Sequence, residues 1–290
     1  RTFHGLIAAR QLGVELDLQW TAPPLTMDGR ALVDNIPGAR RAIALAQMGQ
    51  RHMAERELRR SYYDANHLSG PALLALAHKL DLPATQLRMA KGVRGDDDRP
   101  FDRALFPAPS WRPAKGFAMD RALMFAFMRQ ESSFNARAKS PVGARGLMQL
   151  MPRTASYMAN DRSLRRSNKS KLYDPEYNLE LGQKYIGYLL GDSLVKGDLF
   201  HLAVAYNAGP GNLSKWLRKA KFGDDPLMFV ESIPWRETRL FVERVLTNFW
   251  IYRERFSQDS PSLDAVASGH WPIYFHLDKA TKAVARNARN

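Results

Sequence analysis

RALMFAFMRQESSFNARAKSPVGARGLMQLMP, residues 121–152, is the stretch on which the reading of this chain turns. It opens with a strongly apolar run and ends that run on a carboxylate, Glu131. On a helix of 3.6 residues per turn, Glu131 shares a face with Met124, Phe127 and Met128, which precede it by seven, four and three positions. That face belongs to a core, where a carboxylate is out of place. Burial disfavours the charged form and the negative end of the helix dipole acts the same way, so the sequence predicts a raised pKa. A carboxyl group held protonated near neutral pH can act as a general acid. The ordinary alternative is a glutamate that closes the helix and turns out to solvent. Further on, Pro141 and the glycines Gly143 and Gly146 forbid a long helix, so Pro141 to Leu150 is the one region with room for short strands.

The 290 residues have room for a sizeable core and roughly two domains, and 45% hydrophobic with 25% charged residues is a globular composition. The chain opens on Arg1 with no signal-type apolar core, so the expectation is a mature or trimmed fragment whose targeting information lies elsewhere. No apolar run approaches the length of a membrane span. Zero cysteines remove disulfides, thiolate nucleophiles and cysteine metal sites together. The seven histidines show no metal-ligand spacing, so neither a metal nor a cofactor is expected. A net charge of +14 implies an anionic partner, which charge alone does not choose among nucleic acid, anionic lipid and an acidic polymer.

In chain order, Phe3 to Leu12 predicts a short helix, and Thr21 to Pro24 breaks the chain. Asn35 reads as an N-cap before Pro37, followed by an apolar face of Ala42, Leu45, Ala46 and Met48 and a charged amphipathic helix over Met53 to Tyr63. Ser69-Gly70-Pro71 starts another helix through Leu73, Leu76 and Leu80, which Leu82-Pro83 ends before a last short helix. The composition then shifts to proline, glycine and three aspartates, Asp96 to Asp98, whose spacing lacks the pattern of a calcium loop and reads as a solvated turn. A second helical block begins at Met119-Asp120. Helix stripes follow at Leu181, Tyr185, Tyr188 and Leu189, at Phe200, Ala203 and Val204, and from Arg236 to Arg253. The five positive residues between Arg162 and Lys171 read as a solvated face.

Four blocks in order resemble the signature of the soluble lytic transglycosylases, the Slt-type family that cleaves peptidoglycan. They are Glu131-Ser132 with Phe134, the run from Ser140 through Gly143-Ala144 to Met148-Gln149-Leu150-Met151-Pro152, then Ala205 to Gly211, and Glu237-Thr238-Arg239 followed by Val242, Val245, Asn248 and Tyr252. Phe241 departs from the family's usual tyrosine. The resemblance implies a mainly α chain. Residues 1–35 would be the remnant of an α-superhelical domain with its connector, 36–100 a small all-helical linker domain and 101–117 a Pro-rich linker. Residues 118–265 would form a lysozyme-like catalytic domain and 266–290 a C-terminal extension.

It also implies cleavage of the bond between N-acetylmuramic acid and N-acetylglucosamine without water, with Glu131 as acid and then base. Substrate contacts would come from Ser140, Gln149, Met151, Tyr206, Asn207 and Glu237, with the tyrosine reaching toward the catalytic carboxyl. Each has a plain structural alternative: Ser140 as a turn residue, Gln149 bonded to backbone, Met151 and Tyr206 as packing, Asn207 as a turn former, Glu237 in a helix's first turn. Peptidoglycan glycan strands are the implied partner, cell-wall synthases a further candidate, and the periplasm the implied location. The competing readings are a hydrolytic muramidase of goose-lysozyme type and a basic nucleic-acid binder. No nucleic-acid fold is recognisable and the basic residues are not interleaved with stacking aromatics, so nucleic acid is not the expected partner.

Overall fold

A computed structural model describes residues 1–64, 69–219 and 222–278. The described residues are α-helical with no strand, only isolated bridges. They divide into two compact units, one of Arg1–Leu16, Arg112–Glu131 and Lys139–Asn290, the other of Asp17–Trp111 and Ser132–Ala138.

Helix α1 (Phe3–Gln11) belongs to the first unit. The expected 1–35 remnant is therefore divided between the two. In the second unit α2 (Met27–Asp34), α3 (Pro37–Gln47), α4 (Arg51–Asp64), α5 (Gly70–Lys79), α6 (Pro83–Ala90) and α7 (Asp102–Leu105) follow in order. Their core is built from Val33, Ala39, Ala42, Ala54, Leu58, Leu73, Leu74 and Met89, all nearly inaccessible. The alanines let α3 and α4 approach closely, and Gly49, at φ 73°, turns one into the other. Asn35 does not cap α3. It closes α2 instead, where its amide donates to the Ala31 carbonyl at 3.0 Å. Thr26 opens α2 by accepting from Gly29 N–H at 3.0 Å, a cap the sequence reading missed. Within the stretch expected as linker, α7 buries Asp102 and Ala104, and an Asp102 carboxylate oxygen accepts from Gln19 N–H.

The first unit holds α8 (Arg121–Ser132), α9 (Pro152–Ala159), 3-10 turns at Arg162–Arg165 and Lys169–Tyr173, α10 (Pro175–Leu190), α11 (Leu199–Ala208), α12 (Pro210–Lys219), α13 (Pro226–Glu231), α14 (Arg236–Arg255) and α15 (Pro261–Ala267). α14 is its axis, with Phe241, Val242, Val245, Leu246, Phe249, Trp250 and Tyr252 buried. Each such side chain stabilises the fold by about 1.5–3 kcal/mol through burial. α11 packs along it, and α1 docks through Phe3, which stacks on Trp250 at 5.5 Å between centroids. Of the expected extension 266–290, residues 279–290 lie outside the described residues.

Candidate active site

α8 delivers Glu131 to its last turn. Ala122 to Met128 are buried without a break, and Met124, Phe127 and Met128 are fully so. Glu131 itself is half-buried. Burial pushes its carboxyl up to about 8, with the negative charge of Glu237 as a second cause. Immediately behind it Ser133 and Phe134 take φ of 50° and 65°, so the helix cannot continue.

Tyr206, on α11, packs beside this helix. Its ring lies 4.6 Å from that of Phe127, 5.2 Å from Tyr185 and 6.4 Å from Phe241, on which it stacks. Burial, followed by the charge of Glu131, raises its pKa well above the ordinary phenol value, so the hydroxyl keeps its proton. It donates that proton to the Met148 carbonyl oxygen at 2.7 Å. Tyr206 therefore feels the charge of Glu131 and at the same time holds the loop that follows α8.

That loop is folded by three devices. Arg145 bridges both Lys139 and Leu150 in single antiparallel pairings, the nearest thing to strands between Pro141 and Leu150. Gly146 sits at φ 76°, and a Cβ there would overlap the Leu172 carbonyl oxygen and the Asn178 amide. Asn178 of α10, fully buried, donates to the carbonyls of Arg145 and Leu172 at 3.1 and 2.9 Å and accepts from Met148 N–H at 2.8 Å. The sequence reading missed Asn178. A signal was present, because this polar residue stands three positions before Leu181 and seven before Tyr185 on the apolar stripe of its helix.

The remaining candidates fall in different places. Gln149, at φ 43°, donates its side-chain amide to the Gly146 carbonyl at 2.8 Å. Ser140 Oγ accepts from Ala144 N–H at 3.0 Å, within its own turn. Met151 precedes α9 and is 40% exposed. Asn207 Oδ1 accepts from Thr238 Oγ1 at 2.6 Å, which ties the end of α11 to the first turn of α14, where Glu237 stands exposed. The structure thus gathers Glu131, Tyr206, Glu237 and Asn207 through α8, α11 and α14, with Gln149 held by the loop that Tyr206 and Asn178 anchor. Arg129, also unforeseen, donates to Asn248 Oδ1 at 2.7 Å, and burial lowers its pKa. Among the described residues no group of three or more acidic or histidine side chains has metal-site geometry. No helix among them is long and apolar enough to cross a membrane.

An all-α unit with a high-pKa carboxyl in the last turn of a helix, beside a tyrosine-anchored loop, has the layout of a lysozyme-like domain. Residues 110–229 match the family model of the Transglycosylase SLT domain. The soluble lytic murein transglycosylase of Escherichia coli K12 is 40% identical over 153 residues, 52% of this chain and 23% of that protein. The crystal structure of the 70-kDa soluble lytic transglycosylase of Escherichia coli superposes with a TM-score of 0.77 at 28% identity, over 95% of this chain and 44% of that one. An inactive glutamate-to-glutamine mutant of the lytic transglycosylase Slt from Pseudomonas aeruginosa matches with a TM-score of 0.72, over 94% and 44%. The chain thus spans less than half the length of these relatives.

Proposed function

We propose that this chain is a peptidoglycan lytic transglycosylase that cleaves the β-1,4 bond from N-acetylmuramic acid to N-acetylglucosamine and leaves 1,6-anhydro-N-acetylmuramic acid ends. The observation that carries this reading is Glu131, a carboxyl held up to about 8 by burial on the core face of α8. At neutral pH it holds the proton that the glycosidic oxygen needs as its bond to C1 breaks. Glu131, now a carboxylate, takes the proton from the C6 hydroxyl as O6 closes onto C1. No water is consumed, and the proton count returns to its start. The muramoyl 2-acetamido group assists departure in place of a second carboxylate. A bound glycan would make this an intramolecular closure, favoured by held geometry.

In this reading Tyr206 and Asn178 fix the loop that presents Gln149 and Met151 to the glycan, Ser140 and Asn207 border the cleft, and Glu237 raises the pKa of the acid. A net charge of +14 suits a carboxylate-bearing wall polymer, and a peptidoglycan substrate implies the periplasm as the location. Relatives are named soluble and membrane-bound murein transglycosylases, and a solved structure of one is a complex with bulgecin A. Cell-wall synthases remain candidate partners.

A second reading follows from Glu237. Two carboxyl groups that sense each other also suit a hydrolytic muramidase of goose-lysozyme type, with water attacking C1. Mass spectrometry of products from purified peptidoglycan decides. Anhydro-muropeptides are expected, whereas reducing ends would replace the first reading by the second. Glu131→Gln should fold and lose at least about a thousandfold in turnover, as for removal of an acid-base group without substitute. Near-normal wall lysis by that variant would overturn both.

A further inference from the structure

The aromatic packing around Tyr206 continues outward to the surface of the first unit. Tyr185 of α10, 5.2 Å from the Tyr206 ring, is followed three positions on by Tyr188, on the same face of the helix. The two phenols sense each other, since burial and then the charge of Tyr188 raise the pKa of Tyr185. Tyr188 in turn meets Tyr157 of α9 edge to face, with centroids 5.9 Å apart and ring planes at 78°. A row of four tyrosines therefore runs outward from the ring that feels the charge of Glu131. Its outer pair is open to solvent, Tyr157 being 65% exposed and Tyr188 50%.

An edge-to-face pair leaves at least one face of each ring uncovered by the other. Neither hydroxyl has a hydrogen-bond partner among the described residues. The surroundings are charged, with Arg153 one turn before Tyr157 on the same face of α9 and Lys184 one turn before Tyr188 on α10. Lys184 is taken by Glu180 at 2.8 Å, whereas the exposed Arg153 has no ion pair among the described residues. Two rings set among charged side chains do not make the broad apolar patch of a protein interface. They fit a ligand with small apolar faces and a hydroxyl-bearing rim, which is the build of a pyranose ring. The unpaired guanidinium adds a place for a carboxylate.

We infer that Tyr157 and Tyr188 form an outlying glycan subsite, on which sugars of the strand held at Glu131 stack beyond the bond that is cleaved, with Arg153 taking a carboxylate of the same strand. This subsite presupposes the glycan cleavage proposed for Glu131. Tyr185 and Tyr188 stand between Tyr206 and Tyr157, so a short glycan that fills the Glu131 site stops before the exposed pair and a long one reaches it. The carboxylate belongs either to the muramoyl lactyl group of a peptide-free strand or to a stem peptide, and both offer Arg153 the same chemistry.

Calorimetric titration of the full chain tests it, in a Glu131→Gln background that preserves the probes. The probes are chitotriose, chitohexaose, peptide-free and stem-peptide-bearing peptidoglycan strands, and oligothymidylate. Chitohexaose is expected to bind at least about tenfold more tightly than chitotriose. Tyr157→Ala and Tyr188→Ala should each weaken chitohexaose by about fivefold, and chitotriose by less than about twofold. Both side chains are exposed, so the thermal midpoint should stay at the parent value. Tyr188→Phe keeps the ring, loses the hydroxyl, and should weaken chitohexaose by only about twofold. Arg153→Gln should weaken the peptidoglycan strands and spare chitohexaose, and the strand it weakens more carries the carboxylate. Equal binding of the two chitooligosaccharides, or chitohexaose binding unmoved by both alanine variants, overturns the subsite and leaves cleavage at Glu131 standing. Oligothymidylate bound more tightly than chitohexaose, and weakened by the same variants, overturns the choice of ligand. Absence of saturable binding by every glycan overturns the subsite together with the cleavage it presupposes.

Discussion

The raised pKa of Glu131 has a cost in stability whose sign can be worked out. Unfolded, the carboxyl titrates near 4.5, and folded it titrates near 8. Between these values the folded chain holds a proton that the unfolded chain has released, so stability falls as pH rises through the interval, by up to on the order of 1 kcal/mol per pH unit. Glu131→Gln keeps the shape and removes the titration. Its thermal midpoint should match the parent near pH 4.5 and exceed it increasingly toward pH 8. Parallel midpoints across that range would mean that Glu131 is solvated and that the acid assignment fails. The same group predicts that kcat/KM for glycan cleavage falls above about pH 8, as the acid loses its proton. Glu131 was legible in the sequence because one carboxylate on an otherwise apolar helical face is a local contradiction. The charge of Glu237 on it was not, since 106 positions of chain separate the two and only the fold closes that distance.

Among the elements, those with long apolar stripes were readable and those held by single polar side chains were not. α8 and α14 announce themselves through buried faces that recur every three or four residues. α2 is eight residues long and is opened by one hydroxyl, so its pattern is too short to stand out, and Asn35 was assigned to the wrong neighbour. The loop from Arg145 to Leu150 is the functional case. Its sequence shows that it cannot be helix, but not that Asn178 organises it from α10. Asn178→Ala would leave the Met148 N–H and two carbonyls without their partner in a buried place, a loss of about 2–4 kcal/mol. Activity measured well below the unfolding midpoint should fall as well, because Gln149 and the acceptor of the Tyr206 hydroxyl lie in this loop. Tyr206→Phe, which removes one hydrogen bond to the loop, should cost less stability, about 1 kcal/mol. If Asn178→Ala unfolds no earlier than Tyr206→Phe, the loop is held by something other than Asn178.

At the scale of the molecule, the first unit is tied together by one buried ion pair whose partners are far apart in sequence. Asp120, just before α8, accepts from Arg253 Nη2 at 2.7 Å and from Asp278 N–H at 2.8 Å, and its own N–H donates to the Tyr274 hydroxyl at 3.0 Å. Arg253, at the end of α14, also donates to the Phe275 carbonyl and lies 4.8 Å over the Phe249 ring, while burial lowers its pKa. The segment from Tyr274 to Asp278 is thus clamped across the start of the helix that ends about 16 Å further on at Glu131. Sequence pattern is silent about such a clamp, because neither an aspartate before a helix nor an arginine at a helix end is unusual. Removing one partner strands the other charge where water cannot reach it, so Asp120→Asn and Arg253→Met should each destabilise by about 3–5 kcal/mol. The double variant strands neither charge. It should lose less than the two single losses summed by at least about 1 kcal/mol, measured as denaturant midpoints at a common slope. Strict additivity would show that the two side chains act separately, Asp120 through the Asp278 N–H and Arg253 through the Phe275 carbonyl.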